Sequence, residues 1–287
     1  MVANRADRYA VAGNPVEHSR SPFIHAEFAR QTGQVLSYGR LLCPLGGFAD
    51  AVKAFARSDE GGAARGCNVT VPFKFDAFRL APRHTERAAL AGAANTLRFD
   101  ADDAHGWLAD NTDGVGLVRD IEHNAGVPLL HKRLLLIGAG GAAAGVLGPL
   151  LGAGPAQLVV ANRTLGKALA LVERHRPAAG AARLQAVPLH ACGEGFDVVI
   201  NASASSLQGG AVPVAAGALA PGALAVDLMY GPAAQAFVQW AAAHGAVPRD
   251  GLGMLVEQAA ESFQLWRGVR PDTAPVLAAL RLRMAVA

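Results

Sequence analysis

Four of the 26 basic side chains are lysines, and one of them, Lys74, closes the stretch NVTVPFK (68–74). Asn68 to Val71 alternate polar and apolar residues with β-branched side chains, which predicts a strand. Pro72 has a fixed φ and no amide to donate, so it suits the first position of a helix. The chain is therefore expected to pass from strand to helix at Pro72, with Lys74 in the first turn. A cation there opposes the helix dipole by roughly 0.3–1 kcal/mol. An amine held in that position could act as a proton carrier, donating as ammonium and accepting when neutral. Asp113, in NTDG (111–114), is a carboxylate that could work with it or simply cap the helix that follows. Ser19 and Ser21 lie in GNPVEHSRSP (13–22), where Pro22 reads as a helix start and Ser21 as its N-cap. Two hydroxyls and the open amides of a first turn make a small carboxylate site.

A second constellation points to a nucleotide. Gly138-Ala139-Gly140-Gly141-Ala142-Ala143 follows an apolar run and opens a helical one, fitting G-x-G-x-x-G/A in its strand–turn–helix context. Such a turn lets backbone approach a pyrophosphate at a helix N-terminus. At the end of the next strand an NAD site would carry an acid for the ribose hydroxyls. Here the chain reads VVANRTLGKA (159–168), with Arg163 and Lys167 flanking Thr164 and no acid. Two cations at a helix start make sense around an anion, and a 2′-phosphate fits, so NADP is expected rather than NAD.

These residues need elements to hold them. Strands are predicted at 8–12, 35–42, 67–71, 94–99 and 106–109, with helices at 22–32, 48–57, 73–80 and 86–91. This alternation implies an α/β unit with a largely parallel sheet. A helical run over 114–124 follows. Further strands are predicted at 133–137, 157–161, 183–187, 197–201, 223–228 and 246–248, and final helices at 253–267 and 274–285. Pro149 falls inside the helix after the glycine turn and should kink it.

Composition bounds the rest. Of 287 residues, 52% are hydrophobic and 17% charged, enough for two globular domains. The net charge of +3 comes without a dense basic run, so neither nucleic acid nor a membrane surface is an expected partner. Cys43, Cys67 and Cys192 are scattered, and no Cys/His spacing suggests a metal, which fits a reduced, cytoplasmic setting. The N-terminal stretch lacks an apolar signal core. The uncharged segment 134–156 is long enough for a membrane span, but its seven glycines and two prolines favour strand, turn and helix. His18 and His25, seven apart, have no third ligand nearby, and Gln258 is by periodicity an ordinary polar position of a helix.

Taken together, GNPVEHSRSP, NVTVPFK, AGAANTL (91–97), NTDG, GAGGAA (138–143), NRT (162–164), DLMY (227–230) and DGLGMLVEQAAESFQLWRG (250–268) resemble the shikimate dehydrogenase family over nearly the whole chain. The resemblance implies an N-terminal α/β substrate domain (1–111), a Rossmann NADP-binding domain (112–249), and C-terminal helices (250–287) that return to the first domain. It implies reversible NADP-dependent reduction of 3-dehydroshikimate to shikimate, a small-molecule substrate, by a monomer or homodimer. On the matched positions, Ser19 and Ser21 would hold the substrate carboxylate, with Tyr230 nearby. Thr70, Asn95 and Gln258 would meet its hydroxyls, and Lys74 and Asp113 would be the catalytic pair. Gly138, Gly140, Gly141 and Ala142 would line the pyrophosphate. Asn162, Arg163, Thr164 and Lys167 would meet the adenosine phosphate, and Gly253 would also adjoin the cofactor. Two departures are Ala94 where the family has Val, and Asn201-Ala202-Ser203 where it has Asn-Ala-Thr; the second keeps the hydroxyl. The nearest rival is a quinate/shikimate dehydrogenase using NAD or both cofactors; Ser-x-Ser and the acid-free turn favour the biosynthetic enzyme. A non-catalytic NADP-binding regulator is the rival from another class.

Overall fold

The computed structural model describes residues 6–100, 106–203 and 212–286, so part of the N-terminal stretch read for a signal core lies outside it. The chain forms two compact units, Met1–Thr112 with Val256–Ala287, and Asp113–Leu255. Among the described residues no helix is long and apolar enough to cross a membrane, and no cluster of His, Cys, Asp or Glu could hold a metal.

The first unit is built on β1 (Asp7–Gly13), β2 (Leu36–Leu42), β3 (Ala64–Val69), β4 (Arg83–His84), β5 (Thr96–Arg98) and β6 (Leu108–Asp110), in the sheet order β2-β1-β3-β5-β6-β4. The sheet is largely parallel, as expected, with one reversed strand. β5 runs antiparallel to both β3 and β6, while the other pairs are parallel. For the β5–β6 pair this follows from length: a parallel pair needs a crossover, and the span between them is too short to contain one. α1 (Ser21–Thr32), α2 (Phe48–Arg57), α3 (Lys74–Leu80) and α4 (Glu86–Ala91) join these strands. Phe48, Phe73, Val52, Leu97 and Ala109 are among the side chains of one core cluster of this unit, and Phe48 stacks on Phe73 with centroids 4.9 Å apart.

Two local expectations are corrected. Pro72 does not open α3: the Val71–Pro72 bond is cis, residues 71–73 form a turn, and the helix begins at Lys74 with Phe73 as N-cap. Nor is Ser21 an N-cap. Arg20 takes that position in αR geometry, Ser21 is the first helical residue and Pro22 the second. The Ser19 hydroxyl instead accepts from the Ser21 amide at 3.3 Å, which leaves the Ser21 side chain without a capping task.

The second unit carries β7 (Arg133–Ile137), β8 (Gln157–Asn162), β9 (Arg183–Pro188), β10 (Phe196–Asn201), β11 (Leu219–Asp227) and β12 (Val247–Arg249), all parallel, in the order β12-β11-β10-β7-β8-β9. This is the doubly wound order of dinucleotide-binding folds, with its switch point between β7 and β10. Leu134 to Ile137 are wholly buried, as a central parallel strand covered on both faces requires. α5 (Asp113–Arg119) continues into a wider turn over Asp120–Asn124, and α6 (Gly141–Gly152), α7 (Leu165–His175) and α8 (Gln235–Ala243) follow. Pro149 cannot donate to the Gly145 carbonyl four residues back. Gly114 of α5 packs there, and a Cβ on it would reach within 2.6 Å of that oxygen. The segment 134–156 is thus strand, turn and helix. α9 (Leu252–Arg267) and α10 (Ala274–Val286) end the chain.

Candidate active site

The carboxyl ends of β1 and β3 are locked together in the first unit. Thr70 donates its amide to Ala12 O at 2.9 Å, Asn14 donates to Val71 O at 3.0 Å, and Asn14 Nδ2 reaches Cys43 O at 2.9 Å. Gly13 is needed here, since any Cβ would collide with the Thr70 methyl group. Thr70 therefore sits half-buried beside Gly13, where the chain leaves β1 toward Ser19 and the start of α1. Lys74 opens α3 and is half-buried, and its carbonyl accepts from Ala94 N at 2.8 Å, which ties α3 to the segment of Asn95.

Asn95 is the hub of a buried polar network. Its Nδ2 donates to Gln258 Oε1 at 3.1 Å and to Thr112 Oγ1 at 2.9 Å, and its Oδ1 accepts from Thr112 N at 2.8 Å. Thr96 and Ser262 share a hydrogen bond of 2.8 Å, and Ser262 is also 3.1 Å from Thr112 Oγ1. Asn68 Nδ2 donates to Ser262 at 2.9 Å and to Thr96 at 3.1 Å, while its Oδ1 accepts from Tyr38 at 2.7 Å. With their polar atoms satisfied, these side chains are held in fixed orientations. The Gln258 oxygen faces Asn95 and Thr112, which sets the orientation of its amide. Gln258 is thus no ordinary helical polar residue but a buried one, 8% exposed.

Sequence reasoning missed Asn68, Thr112, Ser262 and Tyr38. The only available signal was a polar residue, Asn68, inside an otherwise apolar strand. Its partner Ser262 is 194 residues away, beyond the reach of local periodicity. His25 is also absorbed here. It stacks on Tyr38 at 4.2 Å with rings nearly parallel and meets Phe28 edge-on. Neither ring nitrogen makes a hydrogen bond of normal geometry among the described residues, and burial, opposed by the Asn68 side chain, pushes its pKa down to about 3.

In the second unit, Gly138 directly follows β7 at the switch point with φ +116°, a conformation for glycine. A Cβ there would lie 3.0 Å from the backbone of Ala202, just past β10. Gly140 is the exposed, extended N-cap of α6, and Gly141 and Ala142 form its half-buried first turn. No side chain caps this N-terminus, and its first turn holds no acid. The α7 start has the same character. Asn162 Nδ2 donates to Thr164 O at 2.9 Å and shapes the turn, Thr164 is an N-cap whose side chain makes no capping bond, and no acid follows. Arg163, Thr164 and Lys167 are exposed, and neither cation forms an ion pair among the described residues. Such a pair of cations at a bare helix start can take an anion. The glycine turn and this basic turn lie at the ends of adjacent strands β7 and β8, which fits a dinucleotide with an extra phosphate.

Other expected positions are spread through the second unit. Asp113 opens α5 and is 4% exposed. Tyr230 is half-buried just after β11. Gly253, at the start of α9, is buried against Asp120, whose carboxylate any Cβ there would strike. Asp120 is bound in turn by Arg249 at 2.6 and 2.9 Å. That packing accounts for the glycine on its own.

Comparison with known proteins agrees in order along the chain. Family models described as shikimate dehydrogenase substrate binding domain, shikimate/quinate 5-dehydrogenase, and shikimate 5'-dehydrogenase C-terminal domain match residues 11–97, 121–209 and 251–281. A relative from Methylibium petroleiphilum named shikimate dehydrogenase (NADP(+)) is 66% identical, covering 96% of this chain and 94% of its own length. One of the same name from an Acidovorax species is 60% identical and covers 98% of both chains. The crystal structure of shikimate 5-dehydrogenase from Thermus thermophilus with NADP(H) and shikimate superposes with a TM-score of 0.82 at 32% identity, covering 97% of this chain and 99% of that one.

Proposed function

The chain belongs to the shikimate dehydrogenase family, and we propose that it catalyses the reversible, NADP-dependent reduction of 3-dehydroshikimate to shikimate. The observation that carries the cofactor choice is the acid-free turn after β8, with Arg163 and Lys167 in no ion pair among the described residues at the bare start of α7. NADPH, when bound, supplies the hydride. Gly138, Gly140, Gly141 and Ala142 would receive its pyrophosphate at the α6 N-terminus, and Asn162, Arg163, Thr164 and Lys167 its adenosine phosphate. Gly253 is assigned a supporting place beside the cofactor.

In this reading Ser19, Ser21 and Tyr230 bind the substrate carboxylate, and Thr70, Asn95 and Gln258 orient the ring through its hydroxyls. As hydride reaches the ketone carbon, negative charge grows on its oxygen. Lys74 stabilises that charge and donates the proton, and in reverse its neutral amine takes the proton back. Asp113 orients the reacting hydroxyl and the ammonium. Such an enzyme works as a monomer or homodimer in the cytoplasm and needs neither a nucleic acid nor a membrane.

The test is steady-state kinetics with shikimate and quinate, each with NADP⁺ and NAD⁺. Shikimate with NADP⁺ should give the highest kcat/KM. Quinate with NAD⁺ outrunning that pair would support the catabolic alternative, which the names of the close relatives do not favour. Binding of NADPH without turnover would indicate a regulator.

A further inference from the structure

A second polar cluster in the first unit has no part in the roles assigned above. Asp110 ends β6 and is fully buried. Its Oδ1 accepts from Thr85 Oγ1 at 2.6 Å, from Arg87 Nε at 2.7 Å and from the Asn111 amide at 2.7 Å, while its Oδ2 accepts from Arg87 Nη2 at 2.5 Å. The remaining arm of Arg87 donates to Glu261 at 2.9 Å. Arg270 bridges Glu261 at 2.5 Å to Glu257 at 3.2 Å, and Thr273 also donates to Glu257 at 2.7 Å. One chain of charge-assisted bonds thus runs from the end of β6 through α4 to α9.

We propose that Arg87 and Asp110 are positioning residues for the reaction, holding the 110–112 turn so that Thr112 and Asp113 are presented correctly, and that Glu261, Arg270 and Glu257 extend the same hold to Gln258. The inference rests on the roles proposed above for Asp113 and Gln258. Asn111 N is the first amide beyond the sheet, and the Asp110 carboxylate fixes the direction in which the chain leaves. Asn111 Nδ2 then anchors on Ala93 O at 2.9 Å, Thr112 N and Oγ1 anchor on Asn95, and Asp113 is the next residue. Glu257 immediately precedes Gln258. Stability alone is a weak reason for such a cluster, because apolar residues of similar volume often serve a core equally well. An arginine fork, unlike an apolar contact, sets angles as well as distance. Burial alone would raise the Asp110 carboxyl, but the bonds from Arg87, Thr85 and the Asn111 amide bring it below the usual carboxylate range, so it is anionic near neutral pH.

Arg87→Lys keeps one charge and loses the fork. It should lower kcat for shikimate oxidation about tenfold with KM for NADP⁺ unchanged, since small misplacements of reacting groups carry losses of this order. The deciding measurement is the same change in an Asp113→Asn background, with thermal unfolding followed throughout. If Arg87 acts through Asp113, its further effect there should shrink to less than about twofold. An equal loss in both backgrounds, or a lowered Tm with unchanged kcat, would overturn the positioning role. Unchanged kcat in Asp113→Asn alone would overturn the catalytic reading of Asp113 itself, and the relay with it. If Arg87→Lys does not fold, Arg87→Gln/Asp110→Asn, which removes both charges together, carries the same comparison: full kcat in that variant would also overturn the proposal.

Discussion

Lys74 stands at the first position of a seven-residue helix with no capping side chain before it, so the helix itself does not call for a cation there. Lys74→Ala should lower kcat on the order of 10²–10⁴-fold, far more than it raises KM for shikimate. Lys74→Arg should not restore activity, because a guanidinium does not give up its proton in this pH range. Near-normal kcat in Lys74→Arg would leave the residue as a binding charge only. The cofactor has its own residue-scale test. Arg163→Ala should weaken NADPH but not NADH, by about tenfold or more for one charge-assisted hydrogen bond of roughly 1.5–3 kcal/mol. Titrations showing equal losses would mean that Arg163 does not read the 2′-phosphate. Both residues were visible in the sequence because each is a charge in the wrong place for its helix. Asn68 and Ser262 were not, because a buried hydrogen bond between distant polar residues leaves no periodic trace.

At the scale of elements, the glycine turn separates a demand of the fold from a demand of the ligand. Gly138 has φ +116° and no room for a Cβ beside Ala202, whereas Gly140 is extended, with nothing within 4 Å of the place a Cβ would take. Gly138→Ala should therefore destabilise the second unit by about 1–3 kcal/mol, the usual cost of a strained backbone position. Gly140→Ala should leave thermal unfolding unchanged and weaken NADPH binding through crowding at the α6 start. Loss of stability in Gly140→Ala, or none in Gly138→Ala, would reverse the assignment. The sequence reads well wherever local rules govern: α2 and α4 begin and end at the expected residues, as does β7. It reads less well where partners decide. The local pattern of β5 does not show which way it runs against β3, and that of residues 71–74 does not show that α3 starts at Lys74, after a turn, and not at Pro72. Ser21 looks like a cap until Arg20 is seen to take that place.

The molecule as a whole carries a buried, depressed histidine in each unit, and this gives its stability a pH dependence with a definite sign. His25 in the first unit is buried, and burial holds its pKa at about 3. His175 in the second unit bonds Leu171 O through Nδ1 at 2.9 Å, its Nε2 has no partner among the described residues, and burial lowers its pKa as well. In the unfolded chain both titrate near 6.5. Between that value and the depressed one, the unfolded state binds more protons than the folded state, so stability must fall as pH falls. For His25 the loss from pH 7 to pH 5 is roughly 2 kcal/mol, taking 1.36 kcal/mol per pH unit below 6.5. Asp110 cannot supply this loss. Its carboxyl is lowered from 3.8, so it is ionised in both states above pH 5, and its stabilisation disappears only in stronger acid. The wild-type Tm should therefore drop by several degrees between pH 7 and pH 5. His25→Phe keeps a ring against Tyr38 and Phe28 and removes the titrating group, so its Tm should change less over the same interval. The remaining slope should shrink further when His175→Leu is added. A His25→Phe variant whose Tm falls with pH as steeply as the wild type would show that the proton enters elsewhere.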